Sequence, residues 1–241
     1  MVWPDSMPEE ISQEIEREAG REPPPVVEER PSLRVLPAVD ESVTTTDRVT
    51  TRPVSASRAL FTRAADRDAD AIIVHHGVLW NGTEPPRLVG SFRERVRLLL
   101  ANGMSLIAYH LPLDAHPELG NNRQLGLALG FGDARPISGL VWGAELDQPL
   151  APDQLSERIE QVLGRKPLRV GPEKVLRRIA WCTGAAQDEI EQAAAAGCDA
   201  FVSGEISEQT LHQANELGIS YFAAGHHATE TFGVHALGEA L

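Results

Sequence analysis

The feature that most constrains the fold is a regular alternation of short apolar runs with amphipathic segments, which begins at Val35 and continues along the chain. The apolar runs have the length of buried strands, whereas the segments between them space their apolar residues as helices do. Strands are predicted at residues 71–75, 105–110, 139–143, 178–183, 200–203 and 220–223, and helices at 92–102, 153–163, 188–196, 208–217 and 229–240. This alternation predicts an α/β fold in which helices flank the sheets.

Two short strings echo each other within this pattern. RDADAIIVHHG and AGCDAFVSGE both place an Asp-Ala pair before an apolar strand that ends at glycine beside a polar residue. Such an echo predicts two similar α/β halves.

The first 34 residues differ in composition from the rest of the chain. They hold six of the 17 prolines and nine acidic residues against four arginines. Three consecutive prolines at 23–25 cannot continue a helix, because proline lacks the amide donor. We expect a short acidic helix at 9–19, then an extended linker, in a segment that is flexible.

Charge and cysteine content exclude several classes of protein. A net charge of −13 argues against nucleic-acid binding, which requires a basic surface to neutralise phosphates. Two cysteines, Cys182 and Cys198, are too few for a disulfide framework and are expected to be reduced thiols. No apolar run approaches the roughly 20 residues that span a bilayer, and the start of the chain lacks the pattern of a signal peptide. We therefore expect a cytoplasmic protein without a membrane partner.

Histidines concentrate where predicted strands end or helices begin. Of the eight histidines, six occupy three places: His75-His76, His110 with His116, and His226-His227. In α/β folds, ligands bind at the carboxyl ends of strands, where the loops converge. This coincidence indicates one shared site.

Each motif taken alone has an ordinary structural explanation. One of two adjacent histidines can be buried and the other exposed, and Asp114 can form a turn or cap a helix. Glu230 lies four residues after His226 and three after His227, so either histidine can share its helix face. Together, two or three histidines and two carboxylates form a nitrogen and oxygen ligand set suited to Zn, Mn, Fe or Ni. Five ligands exceed what one catalytic zinc requires, so two metals that share a carboxylate would use them better.

Four strings carry a resemblance to a known family. They are DADAIIVHHGVLW, AYHLPLDAHPELGNN, CTGAAQDEIEQAAAAGCDAFVSGEISEQT and YFAAGHHATETFGVHALGEAL, which lie between Asp68 and Leu241. They resemble the GTP cyclohydrolase I type 2 homologue family, also described as Ngg-interacting-factor-three-like, and especially its bacterial single-module members. Residues 1–57 align poorly with the family, and the strand that usually follows its last helix has no counterpart before Leu241.

The resemblance implies two related α/β modules, here 35–130 plus 224–241 and 131–223, and a toroidal homohexamer. It also implies two divalent metal ions per chain. The ligands carried over by motif are His75, His76, Asp114, His226 and Glu230. In the GHHATE string the first histidine binds in this family, which selects His226 over His227. His110 and Glu205 then line the pocket, as catalytic residues or as supports for the ligands.

These features predict a binuclear metal-dependent hydrolase that acts through metal-activated water. The family name points to a nucleotide or other phosphorylated small molecule, although the sequence shows no P-loop; Arg123 and Arg135 are the nearest candidates for binding phosphate. The alternative is a non-enzymatic protein that delivers metal or uses metal to stabilise an oligomeric adaptor. A nucleic-acid clamp, suggested by toroidal relatives, conflicts with the negative charge.

Overall fold

Two β-sheets organise this computed structural model, which describes residues 35–36, 53–80 and 87–241, the first pair by backbone alone. The described residues from 35 onward belong to one compact unit. The acidic segment 1–34, with its predicted helix at 9–19, lies outside the described residues. In the described part of the chain, no helix is both long and apolar enough to cross a membrane.

The first sheet is parallel and has the order β1-β2-β3. Its strands are β1 (Val35–Leu36), β2 (Ala71–Val74) and β3 (Ser105–Ala108), and the helices α1 (Arg58–Ala65) and α2 (Gly90–Ala101) pack with it. The Ser57 hydroxyl caps α1 by accepting the Leu60 N–H at 3.1 Å. Phe61, Ile72 and Val74 are buried between α1 and the sheet, so the apolar run of β2 forms the core.

The second sheet has six strands in the order β4-β5-β7-β8-β9-β6. They are β4 (Arg135–Ser138), β5 (Val141–Leu150), β6 (Leu168–Val170), β7 (Leu176–Cys182), β8 (Ala200–Ser203) and β9 (Ser220–Ala223). The central β7, β8 and β9 are parallel, and the other pairings are antiparallel. Strands of a parallel sheet that are buried on both faces consist of nearly continuous apolar residues. The apolar runs of β8 and β9 predicted these strands from the sequence.

Helices cover the second sheet in two apolar layers. In one layer α5 (Pro152–Leu163) contributes Leu155 and Ile159, which pack with Trp142 and Trp181. The other layer contains residues of α6 (Ile190–Ala195) and α7 (Glu208–Glu216), packed with the aromatic rings of β8 and β9. The mixed α/β fold with sheets flanked by helices is therefore confirmed.

The remaining helices hold the segments that carry polar side chains. They are α3 (Leu111–Asp114), α4 (Asn121–Ala128), α8 (His226–Thr229) and α9 (Thr231–Ala240). A 3₁₀ turn, Gln187–Glu189, precedes α6.

The structure differs from the sequence prediction in several elements. Of the strand predicted at 139–143, only residues 141–143 belong to β5, which runs to Leu150 and pairs with the unpredicted β4. The carboxyl-terminal half of β5 is polar and partly exposed, so it has no apolar run to reveal it. The predicted helix at 188–196 begins as a 3₁₀ turn, and the helix predicted at 229–240 is preceded by α8. Sequence patterns also failed to predict α1, α3, α4, β1 and β6; α3 lies in a segment whose two prolines indicated a loop.

Candidate metal centre

The five side chains predicted as metal ligands lie together where strands of both sheets end. His75 and His76 follow β2, and Asp114 ends the short helix α3 that follows β3. His226 begins α8 directly after β9, and Glu230 follows that helix. The carboxyl ends of parallel strands thus supply the cluster, as α/β folds generally arrange their ligand sites.

Glu230 is the centre of the cluster and its carboxylate is almost fully buried. Its Oε1 lies 3.6 Å from Nε2 of His75. Its Oε2 lies 3.3 Å from Nε2 of His76 and 3.0 Å from Nε2 of His226. The two carboxylate oxygens therefore face different histidines.

Asp114 joins the side of the cluster that contains His75. Its Oδ2 is 3.4 Å from Nε2 of His75, and its Oδ1 accepts a hydrogen bond from Nδ2 of Asn121 at 2.9 Å. Asn121 is itself fixed, because its Oδ1 accepts the Gly233 N–H at 2.6 Å. No sequence pattern predicted this role for Asn121, because its partners Asp114 and Gly233 meet it only in the folded chain. The buried amide of Asn121 holds one oxygen of Asp114 and leaves the other facing His75.

Each of the three histidines is oriented through its other ring nitrogen. Nδ1 of His75 lies 2.8 Å from the Tyr109 carbonyl oxygen, to which it donates. Nδ1 of His226 lies 2.5 Å from Oε1 of Glu205, and Nδ1 of His76 lies 3.1 Å from Oγ of Ser55. These contacts turn all three Nε2 atoms toward Glu230. Metal-binding histidines are commonly held this way, by a carboxylate or carbonyl that fixes the tautomer.

Three buried polar atoms at the centre have no hydrogen-bond partner among the described residues: Nε2 of His75, Nε2 of His226 and Oε2 of Glu230. Buried polar atoms are nearly always satisfied, so three orphans that face one another indicate a missing partner. Two ligands at about 2.1 Å from one ion, at tetrahedral angles, stand about 3.4 Å apart. The 3.0–3.6 Å separations in this cluster match that spacing, so the residues fit a divalent metal.

The electrostatics of the cluster favour added positive charge. Burial alone would lower the pKa of His75, but the adjacent carboxylates of Asp114 and Glu230 raise it to about 10. Contact with Glu230 is the main reason that the pKa of His226 rises to about 9. Burial would raise the pKa of Glu230, yet His226 and His75 hold it at about 2. The two carboxylates therefore attract either protons or metal ions to the imidazoles.

His76 and His110 behave differently, because burial removes their positive charge. The pKa of His76 falls to about 4, mainly through burial, and burial with the neighbouring His75 also lowers the pKa of His110. The His110 ring centroid lies 5.0 Å from that of His75 and 5.1 Å from that of His76. Nitrogen atoms of these three rings lie within 4.8 Å of one another, so His110 can ligate as well as transfer protons.

Two glycines, which have no side chain, leave the space that the cluster occupies. Gly184, after β7, has φ +72°, and a Cβ atom there would overlap Oε1 of Glu230. Gly204, after β8, would place a Cβ 2.6 Å from both the Gly184 carbonyl oxygen and Cα of His226. Any side chain at these positions would displace the ligands.

Other residues considered from the sequence lie away from the cluster. Nδ1 of His116 accepts backbone N–H groups of its own loop, and His227 is exposed. The guanidinium of Arg123 donates to backbone carbonyls of the loop before β4, and Arg135 lines a different cavity. Neither arginine is placed to bind a phosphate group at the cluster.

A cavity of about 690 Å³ opens beside the cluster. His76, Asp114, His226 and Glu230 line one end of it, and Trp80 and residues around α6 line other parts. Its volume lies in the range of small-molecule sites.

Comparison with known proteins identifies similar chains along most of this sequence. The model of the family described as Duf34/NIF3 (NGG1p interacting factor 3) matches residues 39–241. The "GTP cyclohydrolase 1 type 2 homolog" of Allochromatium vinosum is 56% identical, covering 78% of this chain and 75% of its own length. The homologue of the same name from Pseudomonas aeruginosa is 51% identical, with coverages of 78% and 76%.

Two solved structures are also similar to this chain along most of its length. The protein ybgI, described as of unknown function, superposes with a TM-score of 0.74 at 47% identity and 84% coverage of both chains. TTHA1606 from Thermus thermophilus superposes with a TM-score of 0.72 at 34% identity, covering 78% of this chain and 76% of its own.

Proposed function

Because the chain belongs to the DUF34/NIF3 family, as its resemblance predicted, we propose that it is a binuclear metal-dependent hydrolase of a small molecule. The observation that carries this proposal is the buried Glu230 carboxylate, whose two oxygens face different histidines. Three buried atoms of this cluster, one of them on Glu230 itself, have no hydrogen-bond partner among the described residues, and a bound cation would satisfy them.

In this proposal the five candidate ligands form two groups, and Glu230 belongs to both. His75 and Asp114 lie on the Oε1 side, and His76 and His226 lie on the Oε2 side. Nitrogen and oxygen donors of this kind suit Zn, Mn, Fe or Ni. When bound, a pair of such ions supplies Lewis acidity and a hydroxide nucleophile at neutral pH.

The chain's own residues supply orientation and proton transfer. Glu205 accepts the Nδ1–H of His226 and so turns Nε2 of that ring toward Glu230, where it can ligate once it loses its proton. His110 lines the cavity, and its lowered pKa leaves it neutral at pH 7, able to accept a proton from a reacting group. We assign Glu205 to positioning and His110 to acid–base transfer.

The nature of the substrate, the assembly and the location are further parts of the proposal. The name of the bacterial relatives points to a nucleotide such as GTP, and a toroidal homohexamer in the cytoplasm is our expectation for the assembly. The Duf34/NIF3 match and the relatives' shared name support the family-level role.

The first test is metal content per chain, measured by elemental analysis after purification without chelators. We expect two ions in the wild type and about one in Asp114→Asn, because Asp114 faces only the His75 side. Asp133→Asn, on the loop before β4 and outside this cavity, is the matched control and should keep both ions. Metal-dependent turnover of a nucleotide or phosphoester, lost in Asp114→Asn, supports the hydrolase. Wild type that binds no metal after loading refutes it.

A non-enzymatic role in metal delivery is the second candidate. Its support is that the described residues lining the cavity include no lysine or arginine to hold a phosphorylated substrate. This candidate predicts transfer of metal from the loaded protein to a competing acceptor protein, without turnover in a screen of nucleotides and phosphoesters. Retention of both ions against a chelator of nanomolar affinity would count against delivery.

A further inference from the structure

We propose that the cluster is a mixed-metal centre, in which one half binds Zn²⁺ and the other half binds Mn²⁺. This inference rests on the proposed function, because it assigns the metals of the same site. The half that binds Zn²⁺, called the His226 group, consists of His76, His226 and Oε2 of Glu230. The half that binds Mn²⁺, called the His75 group, consists of His75, Asp114 and Oε1 of Glu230.

The first support is the difference in donor atoms between the two groups. The His226 group offers two imidazole nitrogens and one carboxylate oxygen, and its three donor atoms lie within 4.8 Å of one another. The His75 group offers one imidazole nitrogen and an oxygen from each of two carboxylates, and His110, assigned to proton transfer, belongs to neither group. Imidazole suits Zn²⁺ and carboxylates suit Mn²⁺, although Zn²⁺ binds more tightly than Mn²⁺ to a given site. A limited supply of Zn²⁺ should therefore fill the His226 group, and Mn²⁺ should fill the position that remains.

The second support is the partner of the ligand ring in each group. Nδ1 of His226 donates to the carboxylate of Glu205, whereas Nδ1 of His75 donates to the uncharged carbonyl of Tyr109. A hydrogen-bond acceptor at the far nitrogen raises the basicity of a ligand imidazole, and a negatively charged acceptor raises it more than a neutral one. The nitrogen donor of His226 is therefore the stronger, which again favours Zn²⁺ in the His226 group.

The third support is a pair of contacts that fixes Asp114. Its Oδ1 accepts a hydrogen bond from Nδ2 of Asn121 at 2.9 Å and lies 3.5 Å from Oγ1 of Thr183. The Asn121 amide cannot turn over, because its oxygen accepts the Gly233 N–H, and a Cβ at Gly233 would lie 2.8 Å from that oxygen. Oδ2 of Asp114 is thereby directed to His75. We assign Asn121 to positioning of the His75 group alone.

The experiment gives chelator-treated protein one equivalent of Zn²⁺ and then excess Mn²⁺. Elemental analysis at dialysis equilibrium should find one bound zinc and one bound manganese per chain. Electron paramagnetic resonance should show isolated Mn²⁺, because its neighbour Zn²⁺ has a filled d shell, whereas protein loaded with Mn²⁺ alone should show a coupled pair. A coupled Mn²⁺ pair after the Zn²⁺ step, or no bound manganese, would overturn the proposal, since equal positions fill at random.

Three variants assign the two metals to their groups. Asn121→Ala should weaken Mn²⁺ binding about 10–100-fold, the usual effect of removing a partner of a metal ligand, and should leave the affinity for the first Zn²⁺ unchanged. Glu205→Gln should do the reverse. Thr183→Val keeps the side-chain volume and removes the weaker contact to Asp114, so it should lower the Mn²⁺ affinity alone, even if Asn121→Ala does not fold. Asn102→Ala is the matched control, because the Asn102 amide donates to a carbonyl of α2, and it should change neither affinity.

The outcomes separate this inference from the proposed function. Equal losses of Zn²⁺ and Mn²⁺ affinity in Asn121→Ala and in Thr183→Val would show that these side chains support the whole cluster, and would overturn the assignment. Wild type that binds two ions without distinguishing the two groups rejects this inference alone and leaves the binuclear hydrolase standing. Wild type that binds neither metal rejects the proposed function as well.

Discussion

Replacing Glu230 by glutamine tests the electrostatic account of the cluster. The amide has the shape of a protonated glutamic acid, so the substitution removes the charge and keeps the volume. A pKa lowered from 4.5 to about 2 means that the folded protein stabilises this carboxylate by about 3 kcal/mol relative to its protonated form. The side chain is 4% exposed, so solvent screens little of that energy. Metal-free Glu230→Gln should therefore unfold at pH 7 with about 3 kcal/mol less free energy than metal-free wild type.

The same argument fixes the pH dependence of the difference. Because the pKa of Glu230 is lower in the folded state, its contribution is fully present above the unfolded value of 4.5 and is lost as pH falls toward 2. Urea unfolding of chelator-treated wild type and variant, followed by circular dichroism from pH 7 down to pH 3, measures the difference. The two curves should converge as the pH falls.

Glu239→Gln is the matched control. Glu239 also lies four residues after a histidine, His235, with 3.3 Å between Oε1 and Nδ1, but its side chain is 71% exposed. Exposed ion pairs contribute at most about 1 kcal/mol, so this control should shift the free energy of unfolding little. A variant at Glu230 as stable as the wild type at pH 7 would falsify the view that the carboxylate is held ionised between imidazolium groups.

Three further predictions concern neighbouring features. Gly184→Ala should abolish metal binding, because the added Cβ would overlap a Glu230 oxygen. Gly164→Ala is the control: Gly164 has a similar positive φ but open space around it, so this variant should keep both ions. Elemental analysis of metal content distinguishes the two variants. Glu205→Gln should weaken metal binding roughly 10–100-fold in a chelator competition, and Glu205→Asp should restore it. Unchanged metal affinity in Glu205→Gln would show that Glu205 does not position His226. Burial raises the pKa of Cys182 to about 12, so at pH 8 a disulfide reagent should label it only after unfolding, and rapid labelling of native protein would contradict its burial.

Much of the fold could be predicted because local apolar patterns coincide with buried strands. The bounds of β8 and β9 match their predicted apolar runs residue for residue, and α2 and α5 lie within two residues of the predicted ends. Strand β4 and the carboxyl-terminal half of β5 escaped prediction, because pairing with neighbouring strands, rather than their own composition, makes them part of a sheet. Proline at position 136 and the polar residues of β5 have little strand propensity of their own. Pairing with antiparallel neighbours holds these segments in the sheet.

The candidate ligands could be proposed from the sequence, because the ends of strands are visible in local patterns. The orientation of their side chains could not be predicted in this way. His75 is fixed by a carbonyl 34 residues away, and His226 by a carboxylate 21 residues away. Asn121, which holds Asp114, is itself held by a backbone amide 112 residues away. No local pattern encodes such partners, because only the folded chain brings them together.

These distant partners also explain how the cluster can be arranged before any metal arrives. Repulsion among buried imidazolium groups would otherwise open the site, since His75 and His226 both carry raised pKa values. Contacts at Nδ1 of both rings come from Tyr109 and Glu205, in the loops that follow β3 and β8, rather than from the other candidate ligands. The centre should therefore keep its geometry when metal is removed, and binding should replace protons at Nε2 without rebuilding the loops. Calorimetric metal titrations at pH 7, in buffers of different ionisation enthalpy, should thus detect proton release. The circular dichroism spectrum should stay unchanged on metal addition. Refolding on metal addition would show that the scaffold does not preorganise the site.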